Sequence, residues 1–360
     1  MIKNKFWKGK RVLITGHTGF KGGWLSLWLH ILGANIAGYS LNPITKKNFF
    51  TELNLKKIFK KDTRGDIQNL SKLKETIKKF KPQIIFHLAA QPQVLESYIN
   101  PINTIKTNVL GTANLLEIAK SERFIKSIVI VTTDKVYRNF NKKIKFEENF
   151  PLGGDDIYSS SKASADLISS SYIKSFFFNK KCNVSIARAG NCIGGGDWTK
   201  FRILTDSTNA FLKNKKLILR NPYSVRPWQH VLEPLEGYMI LAQKLFGAKG
   251  KSFSGPWNFG PQKNRSINVL NFSRLLKKKL LSQSKIEIRK NFFNQKEKNY
   301  LDLDSKKAIK KLSWRPILNF EKTLSLTAEW YLAYKRKENL MLFSINQIKF
   351  FMNIKEKKIK

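Results

Sequence analysis

A tyrosine and a lysine four residues apart, in Tyr158-Ser159-Ser160-Ser161-Lys162, are the side chains of this sequence best suited to chemistry. On a helix that spacing puts both on one face, one turn apart. An ammonium so placed stabilises a phenolate and makes the tyrosine a usable proton acceptor near neutral pH. The spacing alone is common by chance. Two features single this one out: Val131-Thr132-Thr133-Asp134-Lys135 closes an apolar run upstream, and a glycine-rich turn lies near the N-terminus.

That turn, Thr15-Gly16-His17-Thr18-Gly19-Phe20-Lys21-Gly22, joins a short apolar strand (residues 11–16) to a helix. The helix repeats Trp24, Leu25, Trp28, Leu29 and Leu32 at helical spacing before Gly33 ends it. The glycine spacing departs from the simplest dinucleotide fingerprint. The strand–turn–helix context nevertheless predicts a dinucleotide whose pyrophosphate sits on the helix N-terminus, with Lys21 in reach of phosphate. After the second strand (residues 35–39), where an acid often holds the ribose, the chain has Tyr39-Ser40-Leu41-Asn42. Ribose contacts then fall to Ser40 or Asn42, and NAD and NADP both stay open. Asp66, in Gly65-Asp66-Ile67, is placed to accept from an adenine amino group or to cap a helix.

The elements that must position these groups are legible as apolar runs. Residues 84–88, 128–131 and 184–187 have the length and continuity of parallel strands covered on both faces. Residues 104–120 and 158–178 read as the helices between them. The alternation predicts an α/β fold, a Rossmann-type doubly wound parallel sheet with right-handed crossovers. His87-Leu88-Ala89-Ala90-Gln91 ends one strand beside the cofactor, where the small alanines admit the dinucleotide backbone. The expected organisation is an NAD-binding domain over 6–190, with later segments returning to it. A mainly substrate-binding lobe follows over 191–334, then a basic C-terminal tail over 335–360. Leu340, Leu342, Phe343, Ile348 and Phe351 in that tail suit a packing helix better than a membrane anchor.

Composition narrows the class. The 360 residues, 42% hydrophobic, suffice for a large core. Cys182 and Cys192 show no metal-ligand spacing, so a reduced cytoplasmic protein without metal is expected. No apolar run approaches the ~20 residues of a membrane span, and the one after the basic N-terminus is too short for a signal peptide. Net charge is +42, yet only 13 of the 67 basic residues are Arg, and they are scattered. Nucleic-acid readers cluster charge and favour Arg, so solvated Lys-rich faces are the reading, with no nucleic acid and no membrane among the partners.

The motifs together resemble a known family, over residues 6–330. They are Gly16 to Gly22, His87 to Gln91, Thr107-Asn108-Val109-Leu110-Gly111-Thr112, Thr132 to Lys135 and Tyr158 to Ala163. Further on come Arg188-Ala189-Gly190-Asn191, Gly194-Gly195-Gly196-Asp197-Trp198 and Arg226-Pro227-Trp228-Gln229-His230-Val231. The chain resembles the extended short-chain dehydrogenases/reductases acting on nucleotide sugars, and among them the 4,6-dehydratases of CDP-glucose. Relatives specific for dTDP-glucose carry Glu at the position of Lys135. Two positions depart from the family: Asp155-Asp156-Ile157 replaces aromatic-Asp-Pro before the tyrosine, and Leu95 stands where Arg is usual.

The resemblance implies NAD as cofactor, a nucleotide-diphosphate sugar (CDP-glucose foremost) as substrate, and a homodimer paired through helices 104–120 and 158–178. It implies a redox-neutral dehydration in deoxysugar biosynthesis of the O-antigen and lipopolysaccharide kind. Tyr158, held as phenolate by Lys162, would take the sugar 4-hydroxyl proton, and Thr133 would bond the 4-oxygen. Asp134 would protonate the departing 6-hydroxyl. Lys135 would be the base at C5 if held partly neutral, or otherwise stabilise the enolate. Gly16, Thr18, Gly19, Phe20, Lys21, Gly22, Ser40, Asp66, Ile67, Leu88, Ala89, Ala90 and Asn108 would line the cofactor together with Tyr158 and Lys162. Gln91, Arg188, Asn191, Arg226 and His230 would face substrate, with Arg226 clamping pyrophosphate. The alternatives are an epimerase or reductase using Tyr158 and Lys162 alone, or a non-catalytic NAD-sensing or nucleic-acid-binding protein.

Overall fold

Apolar runs bounded by glycine, asparagine or lysine become strands, and the helical repeats between them become crossovers. A computed structural model describes residues 2, 4–140, 144–261, 267–289 and 300–357. The first half runs α1 (Asn4–Trp7), β1 (Arg11–Thr15), α2 (Phe20–Ile31), β2 (Asn35–Ser40), α3 (Phe49–Glu52), β3 (Lys61–Arg64) and α4 (Leu70–Phe80). It continues with β4 (Ile84–His87), α5 (Val94–Ile99), α6 (Pro101–Ile105), α7 (Gly111–Ala119), β5 (Ser127–Val131), α8 (Ile157–Tyr172) and β6 (Asn183–Ala189). The second half holds β7 (Cys192–Ile193), α9 (Ile203–Leu212), β8 (Leu217–Leu219), β9 (Val225–Arg226), β10 (Gln229–His230) and α10 (Leu232–Phe246). After these come β11 (Gly255–Phe259), β12 (Ile267–Asn268), α11 (Val269–Lys279), β13 (Ile286–Ile288), α12 (Lys306–Leu312), α13 (Phe320–Lys335) and α14 (Leu340–Lys357).

Seven strands form one parallel sheet in the order β11-β6-β5-β4-β1-β2-β3. The order reverses between β1 and β4, which opens a crevice at their carboxyl ends where α/β sheets bind ligands. Successive residues alternate between two cores, as the strand period of two requires. Val12, Ile14, Phe86, Val129 and Val131 join the larger core, while Leu13, Ala37, Ile85, Ile128 and Ile130 join the one on the opposite face. Each of these Val, Leu, Ile and Phe side chains stabilises the fold by roughly 1.5–3 kcal/mol when fully buried.

Both long helices expected near the site are interrupted. A π-turn at Lys106–Leu110 separates α6 from α7, and another at Ile173–Phe177 follows α8. The first has a visible cause. Asn108 sends its Nδ2 out to Ser161 Oγ (2.8 Å) and Gln91 O (3.2 Å), and Thr112 Oγ1 bonds the Asn108 carbonyl at 2.7 Å. Wide turns of this kind recur at functional sites.

The later segments divide. β11 returns to the edge of the main sheet beside β6, whereas β10-β7, β12-β9 and β13-β8 are separate two-stranded pairs. The basic C-terminal segment forms α14, which docks on α2 and α13. Phe351 meets Trp28 edge-on at 5.6 Å, and Trp330 Nε1 bonds Ser344 Oγ at 2.9 Å. Among the described residues no helix is long and apolar enough to cross a membrane. Residues 262–266 and 290–299 of the expected lobe, and 358–360 of the expected tail, lie outside the described residues.

Candidate active site

The nucleotide turn owes its shape to two glycines. Gly16 has φ +74°, and a Cβ there would stand 2.7 Å from the Ala89 nitrogen; on Gly22 it would stand 2.2 Å from the Gly16 carbonyl oxygen. The turn therefore packs directly on Leu88 and Ala89 at the end of β4. Ala89 N bonds Thr15 Oγ1 at 3.2 Å, and Ala90 follows, half-buried. Asn69 caps α4 and Asp156 caps α8 with side-chain oxygens, but α2 begins at Gly19 with no side-chain cap. Its first-turn N–H groups are thus left for an anion, as a dinucleotide pyrophosphate requires. Thr18 Oγ1 and Ser40 Oγ pair at 2.8 Å where the ribose acid is missing. The residues present fit a dinucleotide.

Two cofactor expectations change on inspection. Ile67 buries its side chain in the core, where a Cβ on Gly111 would meet it at 2.5 Å, so it offers the cleft no side chain. Asp66 spends one carboxylate oxygen on Gln68 N (2.9 Å), while Asn69 provides the helix cap. The charge of Lys21 lies near enough to Asp134, Lys162 and Cys192 to influence all three. His17 is buried and bonded to Asp62 Oδ1 at 2.9 Å.

The reaction groups converge at the end of β5. Thr133 Oγ1 donates to Asp134 Oδ1 at 2.9 Å and accepts from Lys135 N at 3.4 Å, fixing a single 3₁₀ turn over Asp134–Val136. Asp134 is 1% exposed, and its Oδ2 has no hydrogen-bond partner among the described residues. That oxygen faces Gly190, where a Cβ would stand 2.8 Å away. Burial pushes the Asp134 carboxyl above its ordinary range, against the Thr133 bond and the charges of Lys135, Lys21 and Arg226. A carboxyl that holds its proton longer is suited to act as an acid. Lys135 is half-buried beside it.

Asp156 caps α8 through Ser159 N (2.9 Å) and Oγ (2.7 Å), so the altered residues before the tyrosine still start the helix. Tyr158 is buried with its hydroxyl near the Thr133 side chain; burial pushes the phenol up to about 12, with Thr133 and Arg202 opposing. Lys162 does not hold the phenol directly. Its Nζ donates to the Val131 carbonyl at 3.0 Å, the last residue of β5, which lies within its reach. Burial lowers the Lys162 ammonium to about 8, the Lys21 charge assists, and Asp166 opposes. The shared helical face is as expected; the direct ammonium–phenolate pairing is not what the geometry shows.

On the substrate side several residues prove structural. Arg188 is 2% exposed and forms a bidentate pair with Asp166 (Nη2–Oδ1 2.7 Å, Nε–Oδ2 2.8 Å), so it cannot line the cleft. His230 is fully buried beside Trp24, and burial lowers its imidazole to about 3. Gln91 turns its amide back to Thr104 Oγ1 (2.8 Å) and the Gln93 carbonyl (3.0 Å), holding its own loop. Asn191 contributes its carbonyl to Gln229 N at 3.1 Å. Arg226 is buried with its charge near Asp134 and one Nη bonded to Val225 O.

Sequence reasoning missed three neighbours of this centre. Arg202 pairs with Asp197 at 2.7 Å and directs charge at Tyr158 and Cys192. Cys192 bonds the Gly190 carbonyl at 3.3 Å. Tyr238, fully buried with an unpartnered hydroxyl, faces Cys192 and Asp134. Arg202 and Cys192 flank the Gly194–Trp198 motif, the one signal that could have flagged them.

Comparison with known proteins fits this arrangement. The profile of the family described as GDP-mannose 4,6 dehydratase matches residues 13–327. A CDP-glucose 4,6-dehydratase of Salmonella typhimurium is 42% identical over 98% of this chain and 99% of its own. The dTDP-glucose 4,6-dehydratase of Bacillus anthracis, solved with NAD, is 26% identical, with a TM-score of 0.76 over 92% of this chain and 100% of its own. The Thermotoga maritima UDP-glucose 4-epimerase, solved with UDP-glucose, shares the fold at 20% identity, with a TM-score of 0.78 over 90% of this chain and 99% of its own. With one family profile spanning most of the sequence and a relative matching nearly all of it, the chain belongs to the GDP-mannose 4,6 dehydratase family of extended short-chain dehydrogenases/reductases.

Proposed function

We propose that this protein is an NAD-dependent hydro-lyase that converts CDP-glucose to CDP-4-keto-6-deoxyglucose in deoxysugar biosynthesis. The observation that carries the chemistry is Asp134, a buried carboxyl with a raised pKa and one unpartnered oxygen beside Thr133 and Tyr158. A plain 4-epimerase needs no such acid. The choice of CDP-glucose rests on the Salmonella relative of that name.

Bound NAD supplies the hydride sink for C4 and the hydride source for C6. The chain's residues move the protons. Tyr158 takes the 4-hydroxyl proton while Thr133 bonds the 4-oxygen. The 4-ketone acidifies C5–H, and Lys135 stands where that proton leaves or where enolate charge gathers. Asp134 then protonates the departing 6-hydroxyl, which leaves as water. The glycine turn, Thr18, Ser40, Leu88, Ala89 and Asn108 frame the cofactor, and Arg226 clamps the substrate pyrophosphate.

The test is proton NMR of purified protein with NAD, offered CDP-, dTDP-, UDP- and GDP-glucose separately. A new C6 methyl doublet with CDP-glucose alone, without net NADH, is expected. Absence of a methyl signal with every donor, despite NAD binding, would overturn the reading.

Homodimerisation belongs to the same proposal. Ile102, Ile105, Leu110, Leu167 and Phe176 are exposed along α6–α7 and α8, an apolar face of the kind that marks a protein interface. Leu167→Glu is expected to give a monomer by light scattering. Two free cysteines suit a reducing cytoplasmic compartment, and lipopolysaccharide sugars are the expected destination of the product.

A further inference from the structure

We propose that the corner built by the α9–β8 turn, α11 and β13 docks on an anionic membrane surface, with Leu281 entering the headgroup layer and the surrounding lysines facing lipid phosphates. The 67 basic residues are scattered along the chain, but folding does not leave them evenly spread. Residues 213–220 and 274–289 hold ten basic side chains and one acid, Glu287. The parallel pairing of β13 with β8, Ile286 opposite Leu217, brings these two segments together. Leu217 N bonds Lys285 O at 2.9 Å, and Ser282 Oγ donates to Asn214 Oδ1 at 3.1 Å. The turn before β8 and the turn after α11 therefore form one surface. Arg274, Lys277 and Lys278 share a face of α11. With Ser282 and Ile286 they line a cavity of about 420 Å³. Glu287 is already answered by Lys216 (3.2 Å) and Arg289 (3.7 Å). Lys213, Lys215, Lys278 and Lys285 are exposed and enter no ion pair among the described residues, so their charge is left for an outside anion.

Charge alone would suit any polyanion; Leu281 narrows the choice. Leu280 caps α11, and Leu281 follows with φ +53°, the left-handed position where glycine is common because a Cβ is strained there. This leucine is 81% exposed, so burial within the chain does not offset the strain. Leu275, Ile218 and Ile288 are exposed on the same elements. Aliphatic side chains set among lysines suit a bilayer surface, where the apolar tips leave water and the ammonium groups meet phosphates. A nucleic-acid surface would favour arginine forks and aromatic faces for stacking. Here seven of the ten basic residues are lysine, and neither segment holds an aromatic residue. The protein would lie on the membrane without crossing it, as the lack of a spanning helix among the described residues requires. For this one surface the expectation drawn from composition, that no membrane is a partner, is set aside.

The proposal stands apart from the dehydratase reading, and its test needs no turnover. The purified full chain is sedimented with vesicles of phosphatidylcholine, alone or with about 30% phosphatidylglycerol, across about 0.05–0.5 M NaCl. Binding to the anionic vesicles only, weakening as salt rises, is expected. Lys215→Glu/Lys278→Glu/Lys285→Glu should lower the partition coefficient by about 30-fold or more. Lys72→Glu/Lys74→Glu/Lys78→Glu on α4 changes net charge equally, at exposed positions, and should lower it less than about threefold. Leu281→Gly should weaken binding about fivefold yet raise the melting temperature, because glycine relieves the left-handed backbone. A leucine needed only for folding would do the opposite. Failure of the unaltered protein to bind anionic vesicles at about 0.15 M NaCl overturns the proposal. Equal losses in the two triple variants also overturn it, since binding would then follow net charge alone. Tighter binding to a DNA duplex of about 30 base pairs than to vesicles, unchanged by Leu281→Gly, would assign the surface to nucleic acid instead. Should the charge-reversed triple not fold, Lys215→Gln/Lys278→Gln/Lys285→Gln takes its place with an expected loss of about tenfold.

Discussion

Two buried polar clusters lie side by side under the carboxyl ends of β5 and β6, and they are completed differently. In one, Arg188 pairs with both oxygens of Asp166 and donates to Tyr137 Oη at 2.7 Å. Tyr137 donates to Asn258 Oδ1 at 2.7 Å, and Asn258 Nδ2 bonds the Phe146 carbonyl at 2.8 Å. In the other, Asp134 Oδ2 and the Tyr238 hydroxyl have no partner, although both are buried. Thr132 and Thr133, adjacent in sequence, go one to each cluster: Thr132 bonds Asp166 and Thr133 bonds Asp134. A closed network fixes structure, because each group has already exchanged its water for a protein partner. An open one keeps capacity for a ligand. The contrast separates residues whose sequence motifs look alike.

The largest effect that tests this division is Tyr158→Phe. Removing the phenol oxygen takes away the proton acceptor and should lower kcat by about 1,000-fold or more. The change keeps the buried ring and deletes one oxygen, so the melting temperature should hold. A kcat within tenfold of the original would place the base elsewhere.

Arg188→Met should do the reverse. It leaves Asp166 charged and buried at 0% exposure, and breaking a buried pair from one side costs about 3–5 kcal/mol. A urea midpoint should fall accordingly, while NAD and substrate affinities of the surviving folded protein stay near the original. Selective loss of substrate binding without loss of stability would return Arg188 to the cleft.

The pair also shows what a sequence can and cannot reveal here. The strands were readable because burial on both faces demands continuous apolar runs, as in Ile84–His87 and Ser127–Val131. The glycine turn, Asp134 and Tyr158 could be singled out because chemistry of the proposed kind depends on local spacing. Arg188 was misread because a motif position carries no record of burial or of a partner brought in by the fold; Asp166 lies a helix away from it. The π-turn at Asn108 was invisible for a related reason, since its cause is a tertiary bond to Ser161.

Asp134→Asn sharpens the open half of the comparison. It preserves shape and the Thr133 contact but removes the proton, so formation of the C6 methyl should fall about 100-fold. With Tyr158 taking the 4-hydroxyl proton as proposed, oxidation at C4, followed by transient absorbance near the nicotinamide band, should persist. The original protein needs Asp134 protonated, and its activity should decline as pH rises through that group's raised pKa. The variant should lose that alkaline limb. An intact methyl rate would remove Asp134 from the reaction.

The smallest effect concerns an unpaired atom far from the cleft. Glu233 opens α10; its Oε1 accepts from Ile317 N (2.8 Å) and Leu318 N (2.6 Å), while Oε2 has no partner. Burial raises this carboxyl to about 8, with the Leu318 bond and Lys355 opposing and Glu236 reinforcing. The folded protein therefore keeps a proton that the unfolded chain has lost above the ordinary carboxylate range. Stability should decline as pH rises from about 4.5 to about 8, then level off. Glu233→Gln keeps the oxygen that accepts from Ile317 and Leu318 and abolishes the titration. Its advantage over the original protein should grow steadily from pH 5 to pH 8, read by thermal melts across pH. Turnover at pH 7 should not change, because Glu233 sits among α10, α14 and the segment before α13, with Lys355 bonded to Glu236 at 2.6 Å. An unpaired buried oxygen then marks a titrating strut here and a reacting acid at Asp134. The distinction lies in what converges on it: at Glu233 a folded backbone, at Asp134 a threonine, a tyrosine and two lysines around an open crevice.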